Sequence, residues 1–84
     1  MPRAYVLFSV NSGSEDKVIK EITAISEVQE AFVSYGVYDL IVKIRTDSME
    51  ELKELVSHRL RIITNVKSTV TLIKAEEKKI IVTI

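Results

Sequence analysis

The sequence contains no cysteine, a single proline and two glycines in 84 residues. Without cysteine there is no disulfide framework, no thiol nucleophile and no thiolate-ligated metal. So little proline and glycine, beside 46% hydrophobic and 29% charged residues, excludes a disordered chain. An excess of one charge is missing too. Lys and Arg number 12, Asp and Glu also 12, and the sequence pI is about 6.6. Proteins that work by gripping nucleic acid carry a basic excess, so no direct nucleic-acid partner is expected. No apolar run approaches the ~18 residues that cross a bilayer, and Met1-Pro2-Arg3-Ala4 opens no signal-peptide core, so the expectation is a cytoplasmic protein with no membrane partner. Asn and Gln are scarce beside Lys, Glu and Ile, a bias shared with thermophilic proteins. The length admits one small domain, residues 1–84, and no second one beside it. A domain of this size buries about 60–65% of its unfolded surface, which leaves a thin core.

What is present reads as alternating strands and helices. Ala4 to Val10 is β-branched and aromatic, a strand signal. Asn11-Ser12-Gly13-Ser14 breaks it, and either Ser12 or Ser14 starts a helix with Glu15 and Asp16 in its first turn. Val18, Ile19, Ile22 and Ile25 form the apolar stripe of that helix. Val28 to Tyr35 is a second strand, Gly36 supplies a positive φ in the following turn, and Asp39 to Arg45 is a third strand. Asp47 or Ser48 caps a second helix, with Glu50 and Glu51 at capping-box positions. Its stripe is Met49, Leu52, Leu55, Val56, Leu60 and Ile63, and His58, Arg59 and Arg61 crowd its C-terminal end. Val66 to Ile73 is a fourth strand, and Ile80 to Ile84 reads as a short fifth.

The order β-α-β-β-α-β defines an α+β fold of the ferredoxin-like type: two helices on one face of a four-stranded antiparallel sheet. Alternation assigns Val6, Phe8, Leu40, Val42, Ile44, Val70 and Leu72 to the covered face. Tyr5, Leu7, Ile41, Thr69, Thr71 and Ile73, with Lys43 and Arg45, fall on the other. That second face is too apolar to stay in water, and no element remains to cover it. The apolar tail adds an edge prone to pairing. Both features point to a homo-oligomer.

Chemistry-bearing constellations are few. One His and no Cys make no metal site, and His58 four residues after Glu54 reads as an exposed helical pair. No base stands ready to activate a Ser or Thr nucleophile, so no catalytic residue and no cofactor is expected. Asn11 to Ser14 is a plain strand-to-helix turn before it is an anion cradle. The segment Tyr35-Gly36-Val37-Tyr38-Asp39 stands apart, with two phenols and a carboxylate around one glycine. It is either a hairpin turn whose aspartate caps backbone N–H groups, or a pocket in which Asp39 takes an ammonium and N–H groups near Gly36 take a carboxylate.

Val28 to Phe32, then Tyr35-Gly36-Val37-Tyr38-Asp39-Leu40-Ile41-Val42-Lys43-Ile44, then Val66 to Ile73 together resemble the effector domain of Lrp/AsnC transcription regulators, the RAM (regulation of amino acid metabolism) domain. The resemblance covers about residues 3–74 and rests on G-x-Y-D followed by V-x-x-T-x-T. It implies dimers with facing sheets, octamer-type rings of dimers, and a free amino acid bound between dimers. Gly36 and Asp39 with Tyr35 and Tyr38 would line that site, and Thr69 and Thr71 would lie near it. The family's helix-turn-helix is absent from the sequence, so the resemblance implies an effector domain acting with full-length Lrp/AsnC regulators. Two other readings stay open: an enzyme or small-molecule binder on the same scaffold, related to antibiotic-biosynthesis monooxygenases, and a pure assembly domain.

Overall fold

A computed structural model describes residues 2–74. The elements are β1 (Arg3–Val10), α1 (Glu15–Thr23), β2 (Val28–Val33), β3 (Leu40–Arg45), α2 (Met49–Leu55) and β4 (Val66–Ile73). The strands form one antiparallel sheet in the order β2-β3-β1-β4, the α+β arrangement expected from the sequence. The fifth strand expected at Ile80 to Ile84 lies outside the described residues.

Local chemistry explains the element ends. Ser48 caps α2, its Oγ accepting from the Glu51 N–H at 3.1 Å, so the capping box settles on Ser48 rather than Asp47. Ser14 precedes α1, but its hydroxyl donates to the Asn11 carbonyl and leaves the helix N–H groups uncapped. Past Leu55, α2 widens into a π-helical turn, Val56–Leu60, closed by the Arg61 N–H on the Val56 carbonyl at 3.0 Å. The segment before β4 turns at Asn65, whose φ is 78° and whose side chain accepts from Asn11.

The core lies between the helices and one sheet face. Ala4, Val6, Phe8, Leu40, Val42 and Ile44 meet Val18, Ile22, Leu52, Leu55 and Leu60 there, all buried. Met49 does not join the stripe expected of it. It stands at the first position of α2 and is exposed.

The phase expected for β4 is reversed. Val6 pairs with Thr71 and Phe8 with Thr69, whereas Leu7 pairs with Val70 and Tyr5 with Leu72. Directly paired residues share a face, so Thr69, Thr71 and Ile73 belong to the helix side and Val70 and Leu72 to the open side. The physical reason is the β1–β4 register, which shifts between Ser9 and Val10 and fixes the face of every residue on the strand.

The open face gains apolar area from this. Phe32, Ile41, Leu7 and Val70 form one continuous row across all four strands, since Phe32 pairs with Ile41, Ile41 with Leu7 and Leu7 with Val70. Tyr5 and Leu72 lie in the adjacent row, 42% and 53% exposed.

Candidate functional site

The β2–β3 turn is closed by the Ser34 N–H donating to the Asp39 carbonyl at 2.8 Å, which leaves Tyr35, Gly36, Val37 and Tyr38 as the loop. Gly36 has φ 137°, a region in which L side chains are strained, so glycine is required by the backbone. Tyr35 is 98% exposed at the tip, while Tyr38 is half-buried.

Asp39 fastens the turn to β1. Its N–H donates to the Phe8 carbonyl at 2.8 Å, and its Oδ2 accepts from the Val10 N–H at 2.9 Å. The β1–β3 ladder ends at the Phe8–Leu40 pair, so Val10 has no strand partner on that side. The aspartate side chain supplies the missing acceptor. Among the described residues no hydrogen bond engages Oδ1, which leaves one carboxylate oxygen available to a ligand.

Beside the turn lies an open groove of about 450 Å³, lined by Tyr35, Asp39, Val33 and Ser34 and by Glu15 and Asp16 from the start of α1. Its charged groups are three carboxylates. Such a surface favours a cationic head group and repels a free carboxylate unless backbone donors receive it. Of the sequence-derived candidates, Tyr35 and Asp39 line this groove, while Gly36 and Tyr38 shape the loop. The sequence pattern marks Glu15 and Asp16 only as complements to the helix dipole, and nothing local in it tells that α1 starts beside the turn.

Thr69 and Thr71 lie elsewhere in the subunit. They are on β4, an edge strand, with β2 and its turn on the opposite edge of the sheet. Thr71 lines a smaller hollow of about 140 Å³ with Leu52, Lys53, Val56, Ser57 and Ile73, on the helix side. The single subunit therefore does not bring the two threonines to the hairpin.

A further groove runs along α2, where Glu50, Glu51 and Glu54 face Glu27 and Arg59. Arg59 pairs with Glu27 at 3.8 Å, and His58 with Glu54 at 3.9 Å, the exposed helical pair expected from the spacing. The Ser26 hydroxyl, then the backbone of Glu27 and the Arg59 charge, hold the Glu27 carboxyl below its ordinary value. Among the described residues no cluster of His, Asp and Glu is arranged to hold a metal ion, and no helix is long and apolar enough to cross a membrane.

Comparison with known proteins decides the family. The sequence profile of the Lrp/AsnC ligand binding domain matches residues 3–81. The chain belongs to the Lrp/AsnC ligand-binding domain family. The regulatory protein AsnC of Haemophilus influenzae is 33% identical over 61 residues, 73% of this chain and 41% of that protein. The HTH-type transcriptional regulator FL11 of Pyrococcus horikoshii is 32% identical over 76 residues, 90% of this chain and 50% of that one. The chain thus spans about a third to a half of the length of the curated relatives it matches. Those relatives are transcriptional regulators. Among solved structures, hypothetical protein PHS023 from Pyrococcus horikoshii superposes with a TM-score of 0.85 at 36% identity, covering 92% of this chain and 93% of that one. The Lrp/AsnC domain is therefore present over nearly the whole sequence, and its fold is the one described above.

Proposed function

We propose that this Lrp/AsnC domain, taken as residues 1–84, binds a free amino acid, associates with itself through the open sheet face, and adjusts transcription through regulators of its family. It does so without catalysing a reaction and without contacting DNA. The observation that carries the ligand reading is Asp39: one oxygen is fixed on the Val10 N–H, and the residue lines an acidic groove together with Tyr35. An ammonium placed there forms a charge-assisted hydrogen bond to a carboxylate already held in position. Gly36 and Tyr38 set the loop that forms the wall. Thr69 and Thr71 take part through a neighbouring subunit, since the two halves of the candidate site lie apart within one chain. The covered sheet face supports the non-catalytic reading, because Val6, Phe8, Leu40, Val42 and Ile44 present an apolar surface to the helices.

Calorimetric titration with a panel of amino acids, with thermal melts alongside, tests this. Asp39→Asn keeps an oxygen for the Val10 N–H and removes the charge. Affinity falls by about tenfold to a hundredfold, the equivalent of a charged hydrogen bond of roughly 1.5–3 kcal/mol, while the apo melt hardly moves. Asp39→Ala also removes the acceptor and destabilises the fold by about 0.5–2 kcal/mol. An unchanged affinity in Asp39→Asn makes Asp39 a turn cap alone, and a panel without any binder leaves the assembly domain.

A further inference from the structure

Two features at opposite edges of the sheet fit one another. At the β2 edge, Tyr35 and Val37 stand 98% and 84% exposed at the tip of the hairpin. The tip is firmly held: the Ser34 N–H on the Asp39 carbonyl closes its neck, and Asp39 fastens it to β1. At the β4 edge, on the helix side, lies the hollow of about 140 Å³ between α2 with its π-helical turn and β4. Leu52, Val56, Thr71 and Ile73 give it mainly apolar walls, and Ile73 is left 45% exposed.

An apolar cavity of about 150 Å³ holds one benzene ring, so the hollow has room for a single aromatic side chain. Phe8 is in the core, Tyr5 and Phe32 lie on the open sheet face, and Tyr38 is half-buried. Tyr35 is the ring that stands clear, on a support already in place, so docking it orders little further. The charges agree. The groove beside Tyr35 carries Glu15, Asp16 and Asp39. The charged side chain lining the hollow is Lys53, which takes part in no ion pair among the described residues. Glu50 and Glu54 share α2 with it but line the neighbouring groove, not the hollow. Ring and hollow lie at opposite edges of one sheet, so a single chain does not join them. Two copies do.

We propose that Tyr35 of one copy docks into the α2–β4 hollow of a second, head to tail. Lys53 of the second copy then faces the carboxylates around the first copy's tip. The contact joins unlike surfaces, so each copy keeps a free ring or a free hollow and the contact repeats. The inference deepens the ligand reading and rests on it. Thr71 lines the hollow, so docking sets that threonine of one copy beside the Tyr35–Asp39 groove of the other.

The test uses the full chain in sedimentation velocity over a micromolar concentration series without added amino acid, with circular dichroism confirming folding. Tyr35→Ala removes the ring and leaves the hollow open. Ser57→Phe keeps the ring and fills the hollow from an exposed position on its rim. Each alone assembles less than the wild type, with a dissociation constant at least about tenfold higher. Mixed in equal amounts they regain part of the association, because the ring of one enters the hollow of the other. Both keep the open sheet face, so association through that face adds equally to every sample. Variants that assemble like the wild type overturn the proposal. So does a loss in Tyr35→Ala with none in Ser57→Phe, the result for tips that meet each other or dock elsewhere. A mixture no better associated than its parts overturns it too, as does a monomeric wild type. If Ser57→Phe fails to fold, Ser57→Leu takes its place with the same outcomes. Lys53→Glu confronts the acids at the tip and weakens assembly about tenfold at low salt. An unchanged constant there overturns the choice of a second copy as partner. Failure of the ligand reading is separate: the amino-acid panel then finds no binder while this pattern of association stands.

Discussion

The two faces of the sheet are written on the same strands, one residue out of step, and they differ in what covers them. On the helix side, Val6, Phe8, Leu40, Val42 and Ile44 are fully buried by α1 and α2. On the open side, Leu7 and Ile41 are half-buried by their neighbours alone, and Phe32, Val70 and Leu72 are exposed. The covered face of β1 and β3 is purely apolar. The open one mixes an apolar row with Glu30, Lys43 and Arg45, the composition of a surface that exists both wet and covered. Folding is carried by the first face, and the proposed association by the second.

The comparison breaks most visibly at Phe8. Phe8→Ala leaves a cavity under the helices and costs about 3–5 kcal/mol, a large share of the stability of so small a domain. Leu72→Ser, on the open side of the neighbouring strand, shifts the stability of the dissociated subunit by less than about 0.5 kcal/mol. Urea titrations at sub-micromolar concentration measure both, and comparable losses would mean that the faces are not divided in this way.

A smaller effect separates the loop from either face. Gly36→Ala meets no neighbouring atom, so its cost comes from the backbone alone. With φ at 137°, it destabilises by about 1–3 kcal/mol, read as a lower melting temperature. A variant as stable as the wild type would show that the turn relaxes freely.

The order of elements was legible because the periods are clean: Val18, Ile22 and Ile25 on one helix, and Leu40, Val42 and Ile44 on one strand, are all buried as read. The phase of β4 was not legible. Val70 and Leu72 are more apolar than Thr69 and Thr71, and a lone subunit would be expected to bury the more apolar set. That inference fails where the exposed face is itself apolar, since both faces of the strand then favour hydrophobic residues. The turn was legible through Gly36 and Asp39, and the aspartate does cap a backbone N–H as a turn residue would. Its acceptor role toward Val10 and the presence of Glu15 and Asp16 beside it depend on tertiary placement, which no local pattern carries.

The central claim is that the open face is built to be covered by another copy of itself. Light scattering of the wild-type chain and of Ile41→Asp at micromolar concentration tests it most directly, because Ile41 sits in the middle of the apolar row. The account predicts a dimer or larger assembly for the wild type, and a smaller, less stable species when a carboxylate is placed in that row. A monomeric wild type, or an Ile41→Asp variant with unchanged mass, would contradict it.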